Sequence, residues 1–158
     1  MTRKIINIII AILFIYILGT SALYFTTQKD VAHWEAETTK MAKNEANLKN
    51  VRRFYVFTTD KTYYTVEGNN KNNEKIYFTY SPDTKKKTQT KADKLVNHEN
   101  ALSLARHNLP DATVKEANIG LEDGEYVWEV SFRDKNGALG YHYIDASDAQ
   151  WYETINNL

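Results

Sequence analysis

A chain of 158 residues, 42% hydrophobic and 25% charged, is long enough for one or two small globular domains. It holds no cysteine, which excludes disulfides, thiolate nucleophiles, cysteine-ligated zinc, iron–sulfur clusters and a lipid-modified cysteine. Net charge is +0, yet residues 29–96 carry 14 Lys/Arg against 9 Asp/Glu, and residues 97–158 carry 4 against 11. Such asymmetry means two different partners, or two halves that attract each other.

Residues 1–4 form a short basic tail with Arg3 and Lys4. From Ile5 to Phe25 there is no charged residue, and twenty-one helical residues span about 30 Å, enough for one membrane crossing. The positive-inside tendency keeps the Arg3-Lys4 end cytoplasmic and predicts that the rest is extracellular. Tyr24 and Phe25 stand where an interfacial aromatic belt would lie. Thr20-Ser21-Ala22 offers the rival reading, a signal peptide cut after Ala22.

Residues 26–84 read as a stalk helix and a first folded unit. Val31, Trp34, Thr38, Met41, Glu45 and Leu48 recur at spacings of three and four, a helical seam that nothing before Leu48 obliges to stop. Strands are predicted at 51–58, 61–68 and 75–80, with the Asn-rich loop 69–73 between the last two. The stretch 85–96 reads as a basic linker containing Lys85, Lys86, Lys87, Lys91 and Lys94.

Residues 97–158 repeat the order. Asn97 is placed to cap a helix with the stripe His98, Ala101, Leu102, Ala105 and Leu109, ended by Pro110. Strands are predicted at 112–121, 126–132 and 139–145, with a short last one at 150–155. In EYVWEVSFR, between the turns Asp123-Gly124 and Asn136-Gly137, Tyr126, Trp128, Val130 and Phe132 share one face. That face is predicted to meet the helix, with Glu129, Ser131 and Arg133 towards water. A shift of 64 residues sets Tyr64 on Trp128, Val66 on Val130 and Tyr77 on Tyr141, which indicates an internal repeat. The expected fold class is therefore α+β, each unit a helix on a three- or four-stranded antiparallel sheet.

The run HENALSLARHNLPDATVKEANI, then EYVWEVSFRDKNG, then YHYIDASDAQWYETI, resembles the PepSY module. It departs from that pattern at Asp148-Ala149, where Thr-Gly is common, so the last turn is expected to differ in backbone. The whole layout resembles the TseB-like (YpmB) family of membrane-anchored proteins of Firmicutes. The resemblance implies two tandem cystatin-like, PepSY-like units after a transmembrane helix. It further implies a protein that is not an enzyme and that regulates cell-wall elongation by contact with a partner, a class B penicillin-binding protein. A PepSY-type peptidase inhibitor or chaperone-like module is the alternative.

Chemistry-bearing motifs are sparse. His98 and His107 differ by nine positions and point about 180° apart on a helix; His142 and Asp145 fall on opposite faces of a strand; His33 lies on the stalk. No metal ligand set, cofactor, catalytic group or nucleic-acid motif is predicted. Glu122, Asp123 and Glu125 flank Gly124 as a solvated turn. The candidate partner-binding residues are Trp34, Tyr55, Tyr63, Lys85, Lys86 and Lys87. The lysines suit an anionic wall polymer or lipid, unless they form a solvated linker or meet the acidic second unit. The aromatics suit a partner, unless they fill the interface between the units.

Overall fold

The computed structural model describes residues 2–156. Met1, Asn157 and Leu158 lie outside the described residues, as do the side chains of Thr2, Phe25 and Thr27, and with them the Phe25 half of the expected aromatic belt. The chain divides into two compact units, a helical one up to Ala36 and a second from Glu37 onward.

Helix α1 (Thr2–Glu45) contains the apolar run and is long and apolar enough to cross a membrane. Its large apolar side chains from Ile5 to Leu18 all point outward, Ile15 and Tyr16 most at 69% exposed. It fits a membrane anchor. The helix ends where Asn47 takes a left-handed φ of 53°, a conformation that asparagine tolerates and that stops helical propagation.

The second unit holds two antiparallel sheets. The first runs in the order β1 (Leu48–Thr58), β2 (Thr62–Asn70), β3 (Lys75–Tyr80) and β4 (Lys87–Lys91). The second runs β5 (Thr113–Glu122), β6 (Glu125–Arg133), β7 (Leu139–Asp145) and β8 (Trp151–Ile155). Helix α2 (His98–Asn108) precedes β5, and the Asn97 side chain accepts from the Asn100 N–H at 2.9 Å, as an N-cap should. A 64-residue displacement lays β4 on β8 end for end and brings the other strand pairs within a residue or so. The repeat is thus an architectural one.

The basic stretch 85–96, expected as a linker, holds β4 and a 3-10 turn at Ala92–Lys94 instead. Its alternation of threonine and glutamine between lysines pairs with β3 from Ile76↔Lys91 to Tyr80↔Lys87, and Lys91 binds Glu74 at 2.5 Å.

Each sheet has its own core. Ala42 and Ala46 of α1 cover Leu48, Val66, Ile76 and Phe78 of the first. Ala101 and Ala105 of α2 cover Ala117, Ile119, Trp128, Val130 and Ile144 of the second. Small residues on the helices let large ones on the strands fill the space, and burying Trp128 completely removes about 150–250 Å² of its surface from water. The other face of β6 is not simply wet as expected. Val127 is buried, Glu129 and Ser131 are half-buried, and only the ends, Glu125 and Arg133, are open. In the turn after β7, Ala149 takes φ 68°, the left-handed region that glycine favours.

Candidate functional site: a groove where the two sheets meet

Edge strands β1 and β5 lie beside each other without a hydrogen-bonded ladder. Their side chains lock the sheets together. Tyr55 of β1 reaches into the second core, its ring edge-on to Trp128 at 5.5 Å and tilted against His98 at 6.0 Å. Tyr77 of β3 meets the same indole at 6.3 Å, and the indole N–H donates to the Val96 carbonyl at 2.8 Å. Two positions on, Phe57 lies over Gly120, where a β-carbon would come within 2.3 Å of its ring. Glycine is required there by close approach. Phe57 then packs with Val127 and Tyr143.

Most polar groups at this seam are matched; the buried His98 Nδ1 has no hydrogen-bond partner among the described residues. Glu67 is 1% exposed, and its carboxylate accepts from the Tyr55 hydroxyl at 2.6 Å with Arg53 and Lys75 each at 3.5 Å. A buried carboxylate would be costly alone, and two cations plus a hydroxyl offset that cost. Burial first, and then the neighbouring Glu67 carboxylate, push the Tyr55 hydroxyl far up, so it stays a donor. Arg53 also binds Glu99 of α2 at 2.6 Å, joining the first sheet to the helix of the second half. Deeper in, Thr65 and Thr79 share a 2.9 Å hydrogen bond, and Thr79 donates to the Tyr126 hydroxyl at 3.3 Å. Burial pushes that phenol up to about 12.

Beside the seam lies a groove of about 380 Å³. Three turns build it. The β1–β2 turn supplies Asp60 and Lys61, an ion pair at 3.1 Å that lowers the carboxyl and raises the ammonium. The β5–β6 hairpin supplies Asp123 and Gly124, both left-handed at φ 50° and 93°, as a tight two-residue turn demands. The β3–β4 loop supplies Thr84 and Lys86. It is closed by a Ser81 N–H to Lys86 carbonyl bond at 3.0 Å and pinned to β2 by the Thr62 N–H donating to Asp83 at 2.7 Å. Tyr63 and Leu121 form the apolar part of the wall.

Of the six residues singled out from the sequence, two come together here, Tyr63 and Lys86. Tyr63 is half-buried, its ring 6.2 Å from Phe57. Lys85 is exposed on the loop at φ 57°. Lys87 is held by Glu45 at 2.5 Å, so it ties the end of α1 to β4. Tyr55 is no surface residue. At 3% exposed it is part of the seam, because its strand is an edge that the second half covers. Trp34 lies on α1, half-buried, with His33 edge-on at 5.3 Å. His142 is buried. Its Nδ1 lies 2.7 Å from the Thr154 hydroxyl and its Nε2 3.2 Å from the Asn108 amide, so both ring nitrogens are engaged. Among the described residues no group of acidic and imidazole side chains is placed to hold a metal ion. Asp60 had no motif to announce it, and Glu122 was read only as part of a solvated turn; both line the groove because two hairpin turns from different halves converge. The groove offers carboxylates, ammonium groups, threonine hydroxyls and one aromatic wall, a mixed surface suited to polar side chains of another protein.

Residues 37–81 match the description "Cell wall elongation regulator TseB-like domain", and residues 96–150 match "Peptidase propeptide and YPEB domain", the PepSY module. The chain is 28% identical, over 94% of its length and 94% of the other's, to the "Probable cell wall elongation regulator TseB" of Bacillus subtilis (strain 168). In fold it is similar to the solved YpmB protein from Bacillus subtilis, with a TM-score of 0.67 and 24% identity, covering 77% of this chain and 95% of that one. A putative lipoprotein from Clostridium difficile 630 overlays with a TM-score of only 0.41 and 14% identity, over 77% of this chain and 91% of that one.

Proposed function

Because the chain belongs to the TseB-like family, joining a TseB-like domain to a PepSY domain, we propose that it is a membrane-anchored, non-enzymatic regulator of cell-wall elongation. It acts by contact with a protein partner, a class B penicillin-binding protein. The observation that carries this reading is the groove where the sheets meet, which gathers Tyr63 and Lys86 with carboxylates from both halves. A surface assembled from two interlocked domains is a docking surface that neither domain has alone. The apolar part of α1 holds the second unit at the membrane, with Arg3 and Lys4 on the cytoplasmic side and the sheets outside.

The test is cell length and wall-precursor incorporation in the native cell, with the chromosomal copy replaced by Tyr63→Ala/Lys86→Glu. Regulation is expected to fail while the variant stays folded and membrane-bound. Full regulation by that variant overturns the assignment to the groove. The PepSY match also favours a second reading, inhibition of a peptidase. Inhibition of a secreted peptidase by the purified chain, with wall incorporation unchanged when the chain is deleted, would favour it.

A further inference from the structure

Two four-stranded sheets have four edges. A bare strand edge is a template for another chain, and proteins blunt such edges with lysine, proline, a bulge or a cover. Here β1 and β5 lie against each other. Strand β4 is guarded by lysines at both its ends, Lys87 and Lys91, with Lys85 and Lys86 just before it. The remaining edge, β8, reads WYETI, with no lysine, arginine or proline, and its one irregularity is a register shift against β7 at Tyr152, which leaves Glu153 to Ile155 in regular pairing. Among the described residues nothing pairs with its outer side. Since β4 and β8 occupy the same place in the repeat, the contrast is not a requirement of the fold.

What β8 shows instead is Trp151 and Tyr152, 56% and 46% exposed, followed by an exposed Glu153. Both rings are held in place. Trp151 stacks on His142 at 5.9 Å, and Tyr152 packs on Tyr143 at 6.2 Å while its hydroxyl donates to Glu122. Prearranged aromatics lose little entropy when a ligand settles on them. The surrounding charge is one-sided, with Glu122, Glu153 and Asp148 near this edge in a half that carries 4 basic residues against 11 acidic ones.

We propose that β8 is a strand-addition site for an extended, cationic segment of a protein partner. The partner's backbone continues the sheet beyond β8, its lysine or arginine side chains meet Glu153 and Tyr152 on one face, and its intervening apolar side chains lie along Trp151 on the other. This surface shares Glu122 with the rim of the groove, but it does not depend on the role in wall elongation.

The probe is a ten-residue peptide of alternating lysine and valine, beside a glutamate-for-lysine analogue and a third peptide with proline at its centre. The full chain sits in phosphatidylcholine nanodiscs, which hold no net charge to attract the peptides. Amide hydrogen exchange at 151–155 is read. Slowing by the lysine peptide alone is expected. Glu153→Lys, which gives β8 the guard that β4 carries, weakens that effect about fivefold or more, whereas Glu116→Lys, the same charge change on β5 at the opposite edge of the sheet, leaves it within about twofold. The proposal is overturned by no slowing, by equal slowing with all three peptides, or by equal weakening in both variants. It is overturned too by slowing without peptide that grows with protein density, which would make the occupant a second copy.

Discussion

At Gly120 the missing side chain is what lets the two halves meet. A methyl group there would sit 2.3 Å from the Phe57 ring, so Gly120→Ala is expected to cost about 1–3 kcal/mol by overpacking. In a Phe57→Ala background the same change becomes nearly neutral, and a double-mutant cycle by denaturant unfolding measures the coupling. Ala149 poses the converse case. Its φ of 68° costs a residue bearing a β-carbon about 1–2 kcal/mol, so Ala149→Gly is expected to raise stability by about 0.5–1 kcal/mol, read from the same unfolding curves. Two histidines give a pH signature. Burial lowers His142, and burial followed by the Arg53 charge lowers His98. The unfolded imidazoles take protons near pH 6.5, while the folded ones resist. The stability is therefore full above that pH and is lost as pH falls towards the folded-state values. Glu129 acts with the opposite sign, because burial raises its carboxyl and favours the proton. Melting in mild detergent is expected to show a lower Tm at pH 6 than at pH 7.5, and His98→Gln/His142→Gln flattens that slope. Neither Gly120 nor Ala149 could be read this way from the sequence, because close approach and φ belong to tertiary structure.

Most elements were legible, each for a local reason. Asn97 announced α2, and its side chain makes the capping bond; Asn97→Ala is expected to cost about 1 kcal/mol, measured by chemical denaturation. Alternation announced β6, and paired turn residues announced its ends. Strand β4 was missed because KTQTK has no apolar residue and its lysines read as a solvated linker. The signal was present. Displacing QWYETI back by 64 residues falls on this stretch. Edge strands need little hydrophobicity, so composition hides them and only the repeat exposes them. The same edge logic explains Tyr55. Alternation sets Tyr55 and Phe57 opposite Phe54 and Val56, so one pair needs a second cover; the structure gives it to Tyr55 and Phe57, from the second half.

On the scale of the molecule, the seam makes one body of two look-alike halves. Tyr55 and Tyr77 sit in the core of the second sheet, and Arg53 bridges Glu67 to Glu99. The groove follows from that union, and so was visible in the sequence only as scattered candidates. Tyr63 and Lys86 were named without any sign that they would meet. The charge difference between the halves is likewise used in part across the seam, while acidic surplus remains around β8. The account rests on docking at the groove, and a photocrosslinking residue at position 86 of the full chain in its native membrane tests this most directly. The account predicts an adduct with a wall-synthesis transpeptidase that disappears on Tyr63→Ala. An adduct with no wall-synthesis protein, or one undiminished by Tyr63→Ala, would contradict it.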